Sequence, residues 1–94
     1  MRRIIDRIRE KVRRGQYVLT FHAIDEMADE GFEESDFEHA VLTGRIARRQ
    51  RDHRGRRKYT LEGVTQDRRP LGAVCRFSDT GELIVVITIF GVTD

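Results

Sequence analysis

The chain has no tryptophan, one proline and one cysteine, and no segment approaches the roughly 20 consecutive apolar residues that a membrane-spanning helix needs. A lone thiol, Cys75, cannot close an internal disulfide, which fits a reducing cytoplasm. The segment from Met1 to Arg14 is basic, carries Asp6 and Glu10 and holds no continuous apolar stretch, so a secretion signal is not expected and a cytoplasmic location is. Aromatics are sparse, and Tyr59 is the only one inside the most basic segment, which serves base stacking poorly. His22, His39, His53 and Cys75 lack metal-ligand spacing, and the acidic residues lack that of a calcium loop. Gly63, Gly72, Gly81 and Gly91 mark turns and strand ends, with no strand, glycine-rich turn and helix in that order to cradle phosphate. No metal and no cofactor are therefore expected.

What the chain does have is charge, in two adjacent blocks of opposite sign. Between Ala23 and Gly44 every charged residue is acidic: Asp25, Glu26, Asp29, Glu30, Glu33, Glu34, Asp36 and Glu38. From Arg45 to Lys58 eight residues are basic against Asp52 alone. A net charge of only +2 conceals this separation, which creates one field that attracts polyanions and another that recruits basic partners. The length of 94 residues suits a single domain spanning 1–94.

Ile4, Ile5, Ile8 and Val12 recur at helical spacing until Gly15, which predicts an amphipathic helix over 1–15 with a basic outer face. Tyr17, Leu19 and Phe21 alternate with Val18 and Thr20, a short strand or extended lead-in. A second helix follows, with Ile24, Met27 and Ala28 on one side and Gly31 at its end, and Ser35 can cap a third that turns Phe37, Ala40 and Val41 inward before Gly44. The period then changes to two. Arg45 to Asp52 and Arg56 to Gly63 form a hairpin around His53, Arg54 and Gly55, with Tyr59 and Leu61 facing opposite to Lys58, Thr60 and Glu62. Leu71, Ala73, Cys75 and Phe77 mark a further strand, and the doubly apolar run Leu83 to Phe90 reads as a central one. The expected fold is α+β: two or three helices, then an antiparallel sheet of three to four strands beneath them.

The run Thr20, Phe21, His22, Ala23, then Met27, Gly31, Phe32, Phe37 and Gly44, followed by Tyr59 and the terminal Val86, Ile87, Thr88, Ile89 and Phe90, resembles the bacterial and archaeal domains of unknown function numbered 4258 (DUF4258) over roughly residues 17 to 90. The resemblance implies kinship with the RelE and barnase-like group of small α+β folds, many of them ribonuclease toxins. It also implies arginines one helical turn apart where this chain has Glu26 and Glu30, and often a tyrosine where it has Phe90.

Two classes of function follow. As a metal-independent ribonuclease, the chain would use His22 as acid or base beside Glu26 and Asp29, a cation from Arg57, Lys58 or Arg76, and the hydroxyl of Tyr59 or Thr88 to orient phosphate. The bland alternative for His22 is a backbone hydrogen bond at a helix start. Arg45, Arg48, Arg49, Arg51, Arg54, Arg56, Arg57 and Lys58 are expected to crowd one surface, where forked guanidiniums can bind RNA or another polyanion. Charges on an edge ribbon also simply discourage aggregation. As an interaction module without catalysis, the chain would dock a protein partner, antitoxin-like, or a second copy of itself.

Overall fold

A computed structural model describes residues 2–92. Its three helices and five strands follow in the order α1 (Ile4–Arg13), β1 (Tyr17–Leu19), α2 (Phe21–Glu30), α3 (Glu34–Thr43), β2 (Arg45–Arg51), β3 (Arg57–Val64), β4 (Pro70–Phe77) and β5 (Ile84–Gly91). The amphipathic pattern of α1 buries Ile8 and Val12 completely, as its spacing requires. Thr20 caps α2 by accepting from the Ala23 N–H at 3.1 Å while donating to the Ile87 carbonyl at 3.0 Å, so one hydroxyl starts the helix and fastens it to β5. Gly31 ends α2 in the left-handed region at φ 73°, which only glycine adopts without strain.

The start of α3 differs from expectation. Glu33 occupies the cap and Ser35 lies inside the first turn, because the Asp36 carboxylate reaches back to accept from the Glu33 N–H at 2.8 Å. A carboxylate there also faces the positive end of the helix dipole.

The sheet is mixed and has five strands in the order β1-β5-β4-β3-β2, wider than the antiparallel sheet of three to four strands that the sequence suggests. The class is α+β as expected. The additional member is β1, whose Tyr17, Val18 and Leu19 run parallel to Ile84, Val85 and Val86. All other neighbours are antiparallel, and β5 is interior, consistent with its apolar run. Opposite the step from Val74 to Cys75 the register of β5 jumps from Thr88 to Val86, leaving Ile87 as a bulge.

One face of the sheet carries the core. Tyr59, Leu61, Ala73, Cys75, Ile84, Val86 and Ile89 meet Ile8, Val12, Ala23, Met27, Phe37, Ala40 and Val41 in one hydrophobic cluster. Burial pushes the Cys75 thiol up to about 12, so it stays neutral and acts as a small apolar residue. The rotation of α2 departs from the sequence reading: Ala23 and Met27 face the core, whereas Ile24 and Ala28 face solvent. Tethers from Thr20 and Glu26 to β5 fix that rotation where hydrophobic spacing left two faces possible. No helix among the described residues is long and apolar enough to cross a membrane.

The seat of α3 on β3 allows no side chain at Gly63, where a methyl group would overlap the Ala40 carbonyl. Gly63→Ala should lower stability by about 1–3 kcal/mol through this overlap, read as a lower urea midpoint at unchanged slope. An unchanged midpoint would mean that α3 does not approach the strand this closely.

Candidate functional site

The six residues proposed for catalysis from the sequence fall into separate groups. His22 stands on the first turn of α2, 68% exposed at the side chain, with Nε2 3.2 Å from Glu26 Oε1. The same oxygen accepts from the Ile89 N–H at 3.1 Å and from the Thr88 hydroxyl. Glu26 therefore satisfies backbone along β5 where β1, which stops at Leu19, no longer pairs with it. Glu30 lies beside Gly91 one helical turn on. At position 26 a glutamate accepts the Ile89 N–H and an arginine cannot, which gives a structural reason for an acid there where the resemblance implies a cation.

Strand alternation distributes the others. Thr88, Arg76 and Lys58 belong to the sheet face away from the core, whereas Arg57 and Tyr59 belong to the helix-covered face. Tyr59 is only 4% exposed, with Phe77 edge-on at 6.4 Å and the Arg49 guanidinium 5.9 Å from its centroid. Arg76 donates to the Phe77 carbonyl at 3.1 Å. His22 joins Thr88 through Glu26, but the sheet itself separates that group from Arg57 and Tyr59.

The basic ribbon likewise does not present one surface. Arg49, Arg51 and Arg57 are on the helix side, and Arg45, Arg48 and Lys58 are on the other, because side chains alternate along paired strands. Arg54 lies in the turn and Arg56 just before β3. Arg45 pairs with Glu62 at 3.3 Å, and Arg56 pairs with Asp52 at 2.9 Å. Asp52, the lone acid of the block, organises the hairpin turn: its Oδ1 accepts from the N–H groups of Arg54 at 2.8 Å and Arg56 at 2.9 Å. Partial desolvation pulls its pKa upward, but those backbone bonds and the Arg56 guanidinium together bring it down to about 2.

A hollow of about 880 Å³ lies elsewhere, between α1 and β2. Half-buried Ile4, Ile5 and Ile46, packed against the core, form its floor. Arg2, Arg3, Arg7, Arg9, Arg45 and Arg49 form its rim. Arg9 Nη2 donates to the Gly44 carbonyl at 2.6 Å, fastening α1 to the corner where α3 gives way to β2. Arg7 and Arg49 have no carboxylate within ion-pair range among the described residues and rest on the Phe77 and Tyr59 rings. The basic outer face of α1 was legible in the sequence, but this groove was not. Its one visible signal was Ile46, an isolated large apolar residue in an arginine-rich strand.

The described residues include no group of three or more His, Cys, Asp or Glu side chains placed to hold a metal ion. What fold and geometry define is an α+β domain with an apolar-floored, arginine-rimmed groove. The chain belongs to the family described as a domain of unknown function, DUF4258, whose model matches residues 19–91. The groove is built partly by α1, which precedes the matched segment. No curated protein and no solved structure matches the chain significantly.

Because the folded Asp52 carboxyl sits below an aspartate's ordinary 3.8, its contribution is complete above about pH 4 and is lost as pH falls through about 2. Amide exchange at Arg54 and Arg56 should accelerate over that window relative to the intrinsic rate, and Asp52→Asn should remove the step. A pH-independent protection of both amides would contradict this account of the turn.

Proposed function

We propose that the chain is a non-catalytic interaction module whose α1–β2 groove receives a protein segment bearing an apolar side chain flanked by carboxylates. The observation that carries this reading is the isoleucine floor beneath the arginine rim. Apolar centre and polar periphery are the anatomy of protein interfaces, where arginine is enriched, and its planar fork matches a carboxylate in two parallel bonds. Floor contacts would supply affinity and the rim would supply orientation and association rate. A phosphodiester backbone has no use for three isoleucines, and the two rings beside the groove, Phe77 and Tyr59, lie beneath arginines. The distribution of His22, Thr88, Arg57 and Tyr59 over both sheet faces favours docking over ribonuclease chemistry, which needs acid, base and cation around one phosphate.

RNA binding is the second reading, favoured by Arg48 and Lys58, which have no carboxylate within ion-pair range among the described residues and lie on the open sheet face. A hollow of about 500 Å³ beside Arg48, Thr60, Val74 and Phe90 would accommodate it.

Fluorescence anisotropy separates the two, using a short helical peptide with one phenylalanine among aspartates and glutamates, and in parallel a structured RNA. The expected result is peptide binding weakened about tenfold by Arg7→Glu or Arg49→Glu, equivalent to about 1.4 kcal/mol. Weak RNA binding should accompany it. RNA affinity that is high and collapses steeply with salt, with no peptide binding, would replace this reading with the second.

A further inference from the structure

Phe21 is 87% exposed at the first position of α2, an unusual setting for a phenylalanine. It heads an exposed stripe that continues at helical spacing through Ile24, Asp25, Ala28 and Asp29, with Ile24 46% exposed. Val18, 44% exposed, lies just before it on β1. Asp25 and Asp29 have no ion-pair partner among the described residues, unlike Asp36, which pairs with Arg69 at 3.4 Å. An exposed apolar patch bordered by carboxylates marks an interaction surface. Its chemistry is the complement of the groove, with an aromatic knob for an isoleucine floor and aspartates for an arginine rim.

We infer that the segment received by the groove is the start of α2 from a second copy of this chain, Phe21 seating on Ile4, Ile5 and Ile46 while Asp25 and Asp29 meet the rim arginines. This rests on the docking reading above and names its partner. The knob adjoins β1 and the groove adjoins β2, the two opposite edges of the sheet, so a chain cannot fill its own groove. Opposed, dissimilar surfaces give head-to-tail association, in which each copy offers a knob to one neighbour and a groove to another. Charge contributes to the fit, so the association weakens as salt screens the rim.

The test is light scattering on the full chain at low salt, with Phe21→Ser as a knob variant and Arg7→Glu with Arg49→Glu as a groove variant, each checked for native circular dichroism. The wild-type mass should rise with concentration past that of a dimer and fall back in about 1 M salt. Each variant alone should remain monomeric. Mixed in equal amounts, they should form a heterodimer that grows no further, since one intact knob and one intact groove remain. Wild-type chain that stays monomeric, a variant that still assembles alone, or a mixture that stays monomeric where wild type associates would overturn self-docking. Retained binding of the phenylalanine-containing acidic peptide would then leave the groove reading standing, and its loss would remove both.

Discussion

The groove depends on the bond from Arg9 to the Gly44 carbonyl. Ile8 and Val12 place α1 against the core, but apolar contacts alone leave a helix free to slide. The 2.6 Å bond to Gly44, made where α3 ends and β2 begins, fixes where the front of α1 stands relative to the ribbon. A hydrogen bond from a charged donor typically contributes about 1.5–3 kcal/mol, enough to hold one position among several. The same side chain keeps its Nε buried without a partner, an unfavourable detail that accompanies this placement. Ile4 and Ile5 are thereby held beside Ile46, and Arg7 is brought over Phe77.

The charge separation in the chain is partly consumed inside the fold. Glu26 satisfies β5 backbone, Glu38 accepts from the half-buried Tyr17 hydroxyl at 2.7 Å, and Asp36 holds both the start of α3 and Arg69. Burial and the Glu38 carboxylate raise the Tyr17 pKa above its ordinary range, so that hydroxyl keeps its proton and remains a donor. On the basic side, Arg45 and Arg56 are paired locally. The acids without an ion-pair partner among the described residues include Asp25 and Asp29 at one edge, and the bases without one include Arg7, Arg48, Arg49, Arg57 and Lys58 towards the other.

Local pattern revealed most of the elements, because it is the pattern that forms them. The Ile8 and Val12 spacing, the glycine stop at Gly31 and the alternation from Leu71 to Phe77 all correspond to observed helix and strand. The family, too, was legible in the run from Thr20 to Phe90. Three features were not. The pairing of β1 is a relation between Tyr17–Leu19 and residues more than sixty positions away, and three residues carry too little pattern to declare it. The rotation of α2 is set by hydrogen bonds to β5 that helical periodicity does not encode, so Ile24 looked like core and is exposed. The groove arises from the approach of α1 to β2, a tertiary relation. His22 was recognised as a candidate, but its position between Glu26 and solvent became visible only once β5 lay beside α2.

The most direct measurement is an amide chemical-shift map of the isotopically labelled chain during titration with the acidic, phenylalanine-bearing peptide. A docking module shifts the amides of Ile4, Ile5, Arg7, Ile46 and Arg49 first and saturably. Shifts confined to Arg48, Lys58 and Thr60 on the open sheet face, or none anywhere, would contradict the assignment of the groove as the docking surface.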